Sequence, residues 1–157
     1  PPKSLGLLED IAARIVAIRG DNTPHTLTKK CVIIYCSDNG VVEEGVASAP
    51  QEVTIFMAEN FTNGLTGVCA LCKELDIELK VIDVGMKEDV DHPMIKNMKI
   101  KYGTENFAKS PAMAREDAVK GIISGIVSIY NIKNEGYDAV GIGEMGIANT
   151  TTASAVL

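Results

Sequence analysis

Tryptophan is absent from this chain, and 157 residues hold only four tyrosines, three phenylalanines and two histidines. So few rings leave little on which to stack bases. No run of Lys or Arg stands out against a net charge of −6. No nucleic-acid partner is therefore expected. No apolar run approaches the roughly 20 residues that a membrane span needs, and no charged-then-apolar leader with a cleavage site is visible. These absences lead to an expectation of no membrane partner and of a soluble, cytoplasmic protein. His25 and His92 sit in polar loops and read as surface residues, so no metal site is expected.

Cysteine is sparse but suggestively spaced. Cys69-Ala70-Leu71-Cys72 is a C-x-x-C, which invites a redox or zinc reading. It lies in the apolar-periodic stretch LTGVCALCKELD, which looks helical. Cys31 and Cys36 are five apart on an expected strand and so point to opposite faces. The expectation is four buried structural thiols in a reducing compartment.

Apolar residues make up 46% of the chain, enough for one globular domain with a sizeable core. Residues 4–20 read as a helix, with Ser4 as N-cap, Leu8, Ile11, Ile15 and Ile18 at helical spacing, and Gly20 as the stop. CVIIYC (31–36) is a continuous β-branched run of the kind found in buried parallel strands. Helices are expected over 51–61 and about 65–75, broken at Asn63-Gly64. A second buried strand covers 78–85 and a short alternating strand 97–103, separated by an acidic, solvated loop, KEDVDH. A long helix runs from Arg115 to Lys133, with Val119, Ile122, Ile123, Ile126 and Ile129 on one side and Gly136 at its end. YDAVGIG (137–143) reads as a third buried strand. Alternation of strands and helices predicts an α/β, mostly parallel, three-layer sandwich, without internal repeat or inter-domain linker.

Ligands of such sheets bind beyond the carboxyl ends of the strands. Two of these ends carry unusual polar residues: Ser37-Asp38-Asn39-Gly40 and Gly143-Glu144-Met145-Gly146. The second contains G-x-G-x-x-G, from Gly141 through Gly143 to Gly146. A dinucleotide fingerprint belongs in the first strand-to-helix turn, with an acid about 20 residues later. Here it follows the third strong strand, only eleven residues remain, and Glu144 would repel a pyrophosphate. There is no G-K-[ST] either. What remains is a strand, a Gly-rich turn and Asn149-Thr150-Thr151-Thr152 opening a helix. Free N–H groups and the positive helix end favour an anion there, with the Thr150 and Thr151 hydroxyls as further donors. A monophosphate fits better than a diphosphate, since no Lys or Arg stands in the loop. At this point a phosphate cradle and a plain cap by Asn149 or Thr150 are equally open. Glu144 is either a solvated carboxylate or an acid facing a cationic ring or an oxocarbenium-like centre.

PPKSLGLLEDIA, SDNGVVEEGVA, NGLTGVCAL, VIDVGM and GIGEMGIANTTTASAVL follow one another in an order that resembles the nicotinate-nucleotide–dimethylbenzimidazole phosphoribosyltransferase family. The resemblance spans nearly the whole chain. It implies a Rossmann-like domain over 21–157 that is incomplete at its C-terminal side. Residues 1–20 would supply one helix of a small helical subdomain, in a homodimer. The implied reaction moves the ribose 5-phosphate of nicotinate mononucleotide onto an aromatic lower-ligand base of a cobamide, with inversion from β to α and no metal or cofactor. Glu144 matches the family's carboxylate near the ribose and base. Gly146, Asn149, Thr150 and Thr151 match the turn that receives the phosphate, and Pro2, Ser4 and Gly6 match a string that lines the site. Asp38 and Gly40 match an Asp-His-Gly in which Asn39 replaces His. The family's usual Ser-Pro and helical Gln align with Ala49-Pro50 and Met57. With Met145, where Leu is more common, they imply a more apolar base pocket and a simpler benzimidazole or a phenolic as base.

The family's general base, a Glu, lies in a C-terminal half with no counterpart in these residues. The sequence opens on Pro1-Pro2 and stops early in a helix, so a longer protein is expected and this chain alone should be inactive. Two other readings predict different behaviour. A split subunit would hold the nucleotide but need a partner chain. A Rossmann oxidoreductase using Gly141, Gly143 and Gly146 would bind NAD tightly, and the placement of those glycines speaks against it.

Overall fold

The computed structural model describes residues 3–20 and 27–157. The strands are β1 (Lys30–Ser37), β2 (Glu78–Gly85), β3 (Ile95–Asn97) and β4 (Ala139–Met145). The helices are α1 (Leu7–Arg19), α2 (Val53–Thr62), α3 (Gly67–Glu74), α4 (Arg115–Asn134) and α5 (Asn149–Val156), with a 3-10 turn at Gly40–Glu44. The sheet is parallel throughout and ordered β3-β2-β1-β4. The chain winds outward from β1 to one edge and then crosses to the other side of β1. This is the switch in direction that opens a crevice at the carboxyl ends of the strands.

The β-branched run of β1 supplies both cores. Ile34 and Cys36 pack with Ala58 of α2, Val81, Met86 and Ile95 on one face. Cys31 and Ile33 pack with Ile82 and Ile132 of α4 on the other. Alternation along one strand thus places the two thiols on opposite faces, as their spacing required. Burying a side chain such as Ile33 completely stabilises the fold by about 2–3 kcal/mol.

Several local expectations are corrected. Ser4 is not the cap of α1. Gly6 holds that position, and the Glu9 carboxylate accepts from the N–H groups of Lys3 and Leu5. The end at Gly20, left-handed at φ 77°, is as expected. The alternation of 97–103 is real, but the hydrogen-bonded strand is Ile95–Asn97. Beyond it Met98 and Ile100 donate to the carbonyls of Asp83 and Val84, while Lys99 turns to Asp83 and Asp89. The acidic loop is therefore tied down rather than merely solvated, with the Tyr102 hydroxyl also donating to Asp89.

The third strand is not buried on both faces. Among the described residues β4 is the sheet edge, and Ile142 is 70% exposed. The apolar side of α4 is likewise open at Val119, Ile122, Ile123, Ile126 and Ile129, and the helix reaches the core through Ser128 and Ile132. His92 fixes its own loop, accepting from the Met94 N–H, and His25 lies outside the described residues. All four cysteines are buried and free. Among the described residues no group of three or more His, Cys, Asp or Glu could hold a metal, and no helix is long and apolar enough to cross a membrane.

Candidate active site

Parallel pairing sets Tyr35 beside Glu144 and Cys36 beside Met145. Beyond that pair both chains turn away, and the turn after β4 runs back over the turn after β1. Gly146 is the point of contact. A β-carbon there would lie 2.1 Å from the Ser37 carbonyl oxygen and 2.9 Å from Nδ2 of Asn39. Gly141 and Gly143 lie within β4, where added β-carbons would meet side-chain atoms of Val32 at 3.1 Å and Ile34 at 2.6 Å. Two of the three glycines are thus strand residues, and the third serves backbone packing. This geometry does not build a pyrophosphate turn.

The turn is held from three sides. Asn39 donates from Nδ2 to the Ile147 carbonyl at 3.0 Å and accepts at Oδ1 from the Thr152 hydroxyl at 2.9 Å. Thr54 of α2, fully buried, accepts the Ile147 N–H at 3.1 Å. Ala148 caps α5 in the left-handed conformation at φ 67°, with no side-chain cap. The capping alternative for Asn149 and Thr150 is therefore not what the structure shows. Asn149 Nδ2 instead donates to Glu144 Oε1 at 2.6 Å, and the Thr150 hydroxyl donates to Asn149 Oδ1 at 3.1 Å. The first turn of α5 still carries N–H groups with no intrahelical acceptor, at the positive end of the helix dipole.

Two cavities meet at this turn. One, of about 250 Å³, is lined by Ala49, Met145, Gly146, Asn149, Thr150 and Thr151 among others. The second, of about 700 Å³, reaches Tyr35, Asn39, Glu144, Met145, Asn149 and Thr150. Among the described residues no Lys or Arg lines either of them. Beneath them the Cys36 thiol is pushed up to about 12 by burial, reinforced by the carboxylates of Asp83, Asp38 and Glu144, so it stays protonated and inert.

Seven of the residues singled out in the sequence therefore gather here: Ala49, Glu144, Met145, Gly146, Asn149, Thr150 and Thr151. Five do not line either cavity: Asp38, Gly40, Met57, Ser4 and the exposed Gly6. Asp38 is buried, accepting the Lys87 N–H on Oδ2 at 2.7 Å, while its Oδ1 has no hydrogen-bond partner among the described residues. Gly40 donates its N–H to the Thr104 hydroxyl, and a β-carbon would lie 2.4 Å from the Thr104 carbonyl oxygen. Gly40, together with the Asp38 carbonyl that accepts the Thr104 N–H, locks the exit of β1 to the 104 turn. Met57 is half-buried on α2, and Ser4 is exposed before α1. Pro2 lies outside the described residues. Tyr35, Asn39 as a bridge and Thr54 were not singled out. The one local signal was a threonine inside the apolar stretch VTIFMA.

A phosphoribosyltransferase family model matches residues 1–157. The chain belongs to that phosphoribosyltransferase family. It is 47% identical over 157 residues to the nicotinate-nucleotide–dimethylbenzimidazole phosphoribosyltransferase of Clostridium tetani and 51% identical to that of Clostridium perfringens strain 13. Each alignment covers 100% of this chain and 43% of the relative. The crystal structure of the phosphoribosyltransferase of that name from Thermus thermophilus superposes with a TM-score of 0.93 at 38% identity, over 99% of this chain and 47% of that one. The chain thus spans less than half the length of these phosphoribosyltransferases.

Proposed function

We propose that the protein containing this chain transfers the ribose 5-phosphate of nicotinate mononucleotide to an aromatic base of the benzimidazole or phenolic class, giving an α-ribazole-type 5′-phosphate for a cobamide. The observation that carries the reading is the clasp between Glu144 and Asn149, which sets one carboxylate beside a helix start open to an anion. The phosphate sits on the first-turn N–H groups of α5, against Gly146, Thr150 and Thr151. Glu144 faces the ribose, where positive charge grows as the glycosidic bond breaks. A fixed negative charge there is more strongly engaged in the transition state than in the ground state.

The incoming base forms a bond to the anomeric carbon from the face opposite the nicotinate. The breaking bond leaves its electron pair on the ring nitrogen, so a cationic pyridinium departs as neutral nicotinate. The proton lost by the base goes to a general base supplied by the rest of the protein. No metal takes part. Ala49, Met57 and Met145 make the base pocket more apolar and favour a less substituted ring than dimethylbenzimidazole. Asp38, Gly40 and Ser4 complete the site in the full protein, a cytoplasmic homodimer. In it residues 1–20 supply one helix of a small helical subdomain and 21–157 the Rossmann-like domain, incomplete at its C-terminal side.

The full-length protein, given nicotinate mononucleotide and a panel of bases, is expected to release nicotinate only when a base is present. Benzimidazole or a phenolic should outpace dimethylbenzimidazole. A preference for dimethylbenzimidazole would refute the base assignment alone, whereas no release with any base would refute the transfer reading.

A further inference from the structure

We propose that Asn39 is the positioning residue of the anion-binding turn: its single amide, engaged on both sides, holds the start of α5 where a phosphate can meet it. The inference rests on the transfer reading above and adds to it a residue at which the resemblance places a histidine.

Three observations converge. First, the turn lacks the usual local supports. Ala148 holds a left-handed backbone at φ 67°, a conformation that side-chain-bearing residues adopt at a cost of about 1–2 kcal/mol, and no side chain caps α5. Something remote must hold it. Second, Asn39 spans the turn. Its N–H reaches Ile147 on the near side of Ala148, and its carbonyl takes the Thr152 hydroxyl on the far side. One rigid planar group thus fixes both flanks of the strained residue. Third, the space is built around this amide. Gly146 carries no β-carbon where one would lie 2.9 Å from Asn39 Nδ2, and Asn39 itself is 8% exposed. Both hydrogen bonds of the amide go to the turn, so the role assigned to Asn39 is exerted through the turn.

The test uses the full-length protein and the variants Asn39→Ala, Asn39→His, Thr152→Val and the double variant Asn39→Ala/Thr152→Val. Hydrogen exchange at amides 147–152 and the KM and kcat for nicotinate mononucleotide are measured together. Asn39→Ala is expected to speed exchange at these amides roughly tenfold or more while α4 exchanges as before. KM should rise about 10–100-fold with kcat changed less than about threefold. Thr152→Val should show a smaller shift of the same kind and add nothing in the Asn39→Ala background, because the contact is already gone. Asn39→His, whose ring can offer one donor and one acceptor, should lie closer to wild type than alanine. Unchanged local exchange, acceleration spread evenly over the chain, or local loosening with an unchanged KM would overturn the proposal. If Asn39→Ala does not fold, Thr152→Val alone decides by the same two readouts. Absence of nicotinate release from the wild-type protein would instead sink the transfer reading, and the exchange pattern would still report what Asn39 does to the turn.

Discussion

Alanine at position 146 would force its β-carbon onto the Ser37 carbonyl oxygen, at 2.1 Å, and neither backbone can yield without opening the turn. Gly146→Ala should therefore lower stability by about 2–3 kcal/mol and abolish nicotinate release. Gly143→Ala meets only the tip of the Ile34 side chain and should cost about 1 kcal/mol or less. Chemical denaturation of the two variants separates these outcomes, and equal effects would contradict the packing account of the turn. Glu144→Gln retains an acceptor for Asn149 but removes the charge. It should leave the melting temperature unchanged and lower kcat about 10²–10³-fold, as measured by nicotinate release. The grouping of Glu144 with Asn149 and the threonines at the start of α5 was legible in the sequence because these residues stand close together in the chain. The bridging role of Asn39 was not, since its partner Thr152 lies 113 positions away. No periodicity encodes such a contact.

The elements were legible where one physical rule acts alone. β1 and β2 are β-branched runs bounded by polar residues, and α2, α3 and α4 begin and end within two residues or so of their expected limits. The departures occur where tertiary pairing decides. β3 ends at Asn97, and beyond it Lys99 is drawn to the buried Asp83 and to Asp89. α1 shows helical spacing, yet none of its residues is buried. α3 offers the cleanest test at this scale. Its N-cap Thr66 accepts from the Cys69 N–H and donates to the Cys69 sulfur. Thr66→Ala should cost about 1 kcal/mol, seen as a lower urea midpoint with an unchanged slope. No change in the midpoint would mean that packing of Cys69 and Cys72 alone holds this helix.

Across the molecule, the two sides of the sheet differ in what closes them. The carboxyl ends form the candidate site, while the amino ends are laced by charge. Asp138, at the entry to β4, accepts the N–H groups of Lys29 and Thr28 and the Thr28 hydroxyl. The Lys29 and Thr28 donors hold its carboxyl below the ordinary 3.8. The Tyr137 hydroxyl and then Lys80 hold Glu78 below the ordinary 4.5. Both folded-state values are depressed. Their stabilisation is present above the ordinary values and is lost as pH falls through the folded ones. Stability should thus decline as pH falls below about 4, and Asp138→Asn should make that decline shallower. An unaltered acid profile would remove the charge lacing from the account. The central claim is that a phosphate sits on the first turn of α5 beside Glu144. A crystal of the full-length protein soaked with nicotinate mononucleotide tests it directly. Phosphate oxygens are expected about 3 Å from the N–H groups of Thr150 and Thr151, with the ribose toward Glu144. Phosphate bound elsewhere, with that helix start left to water, would contradict it.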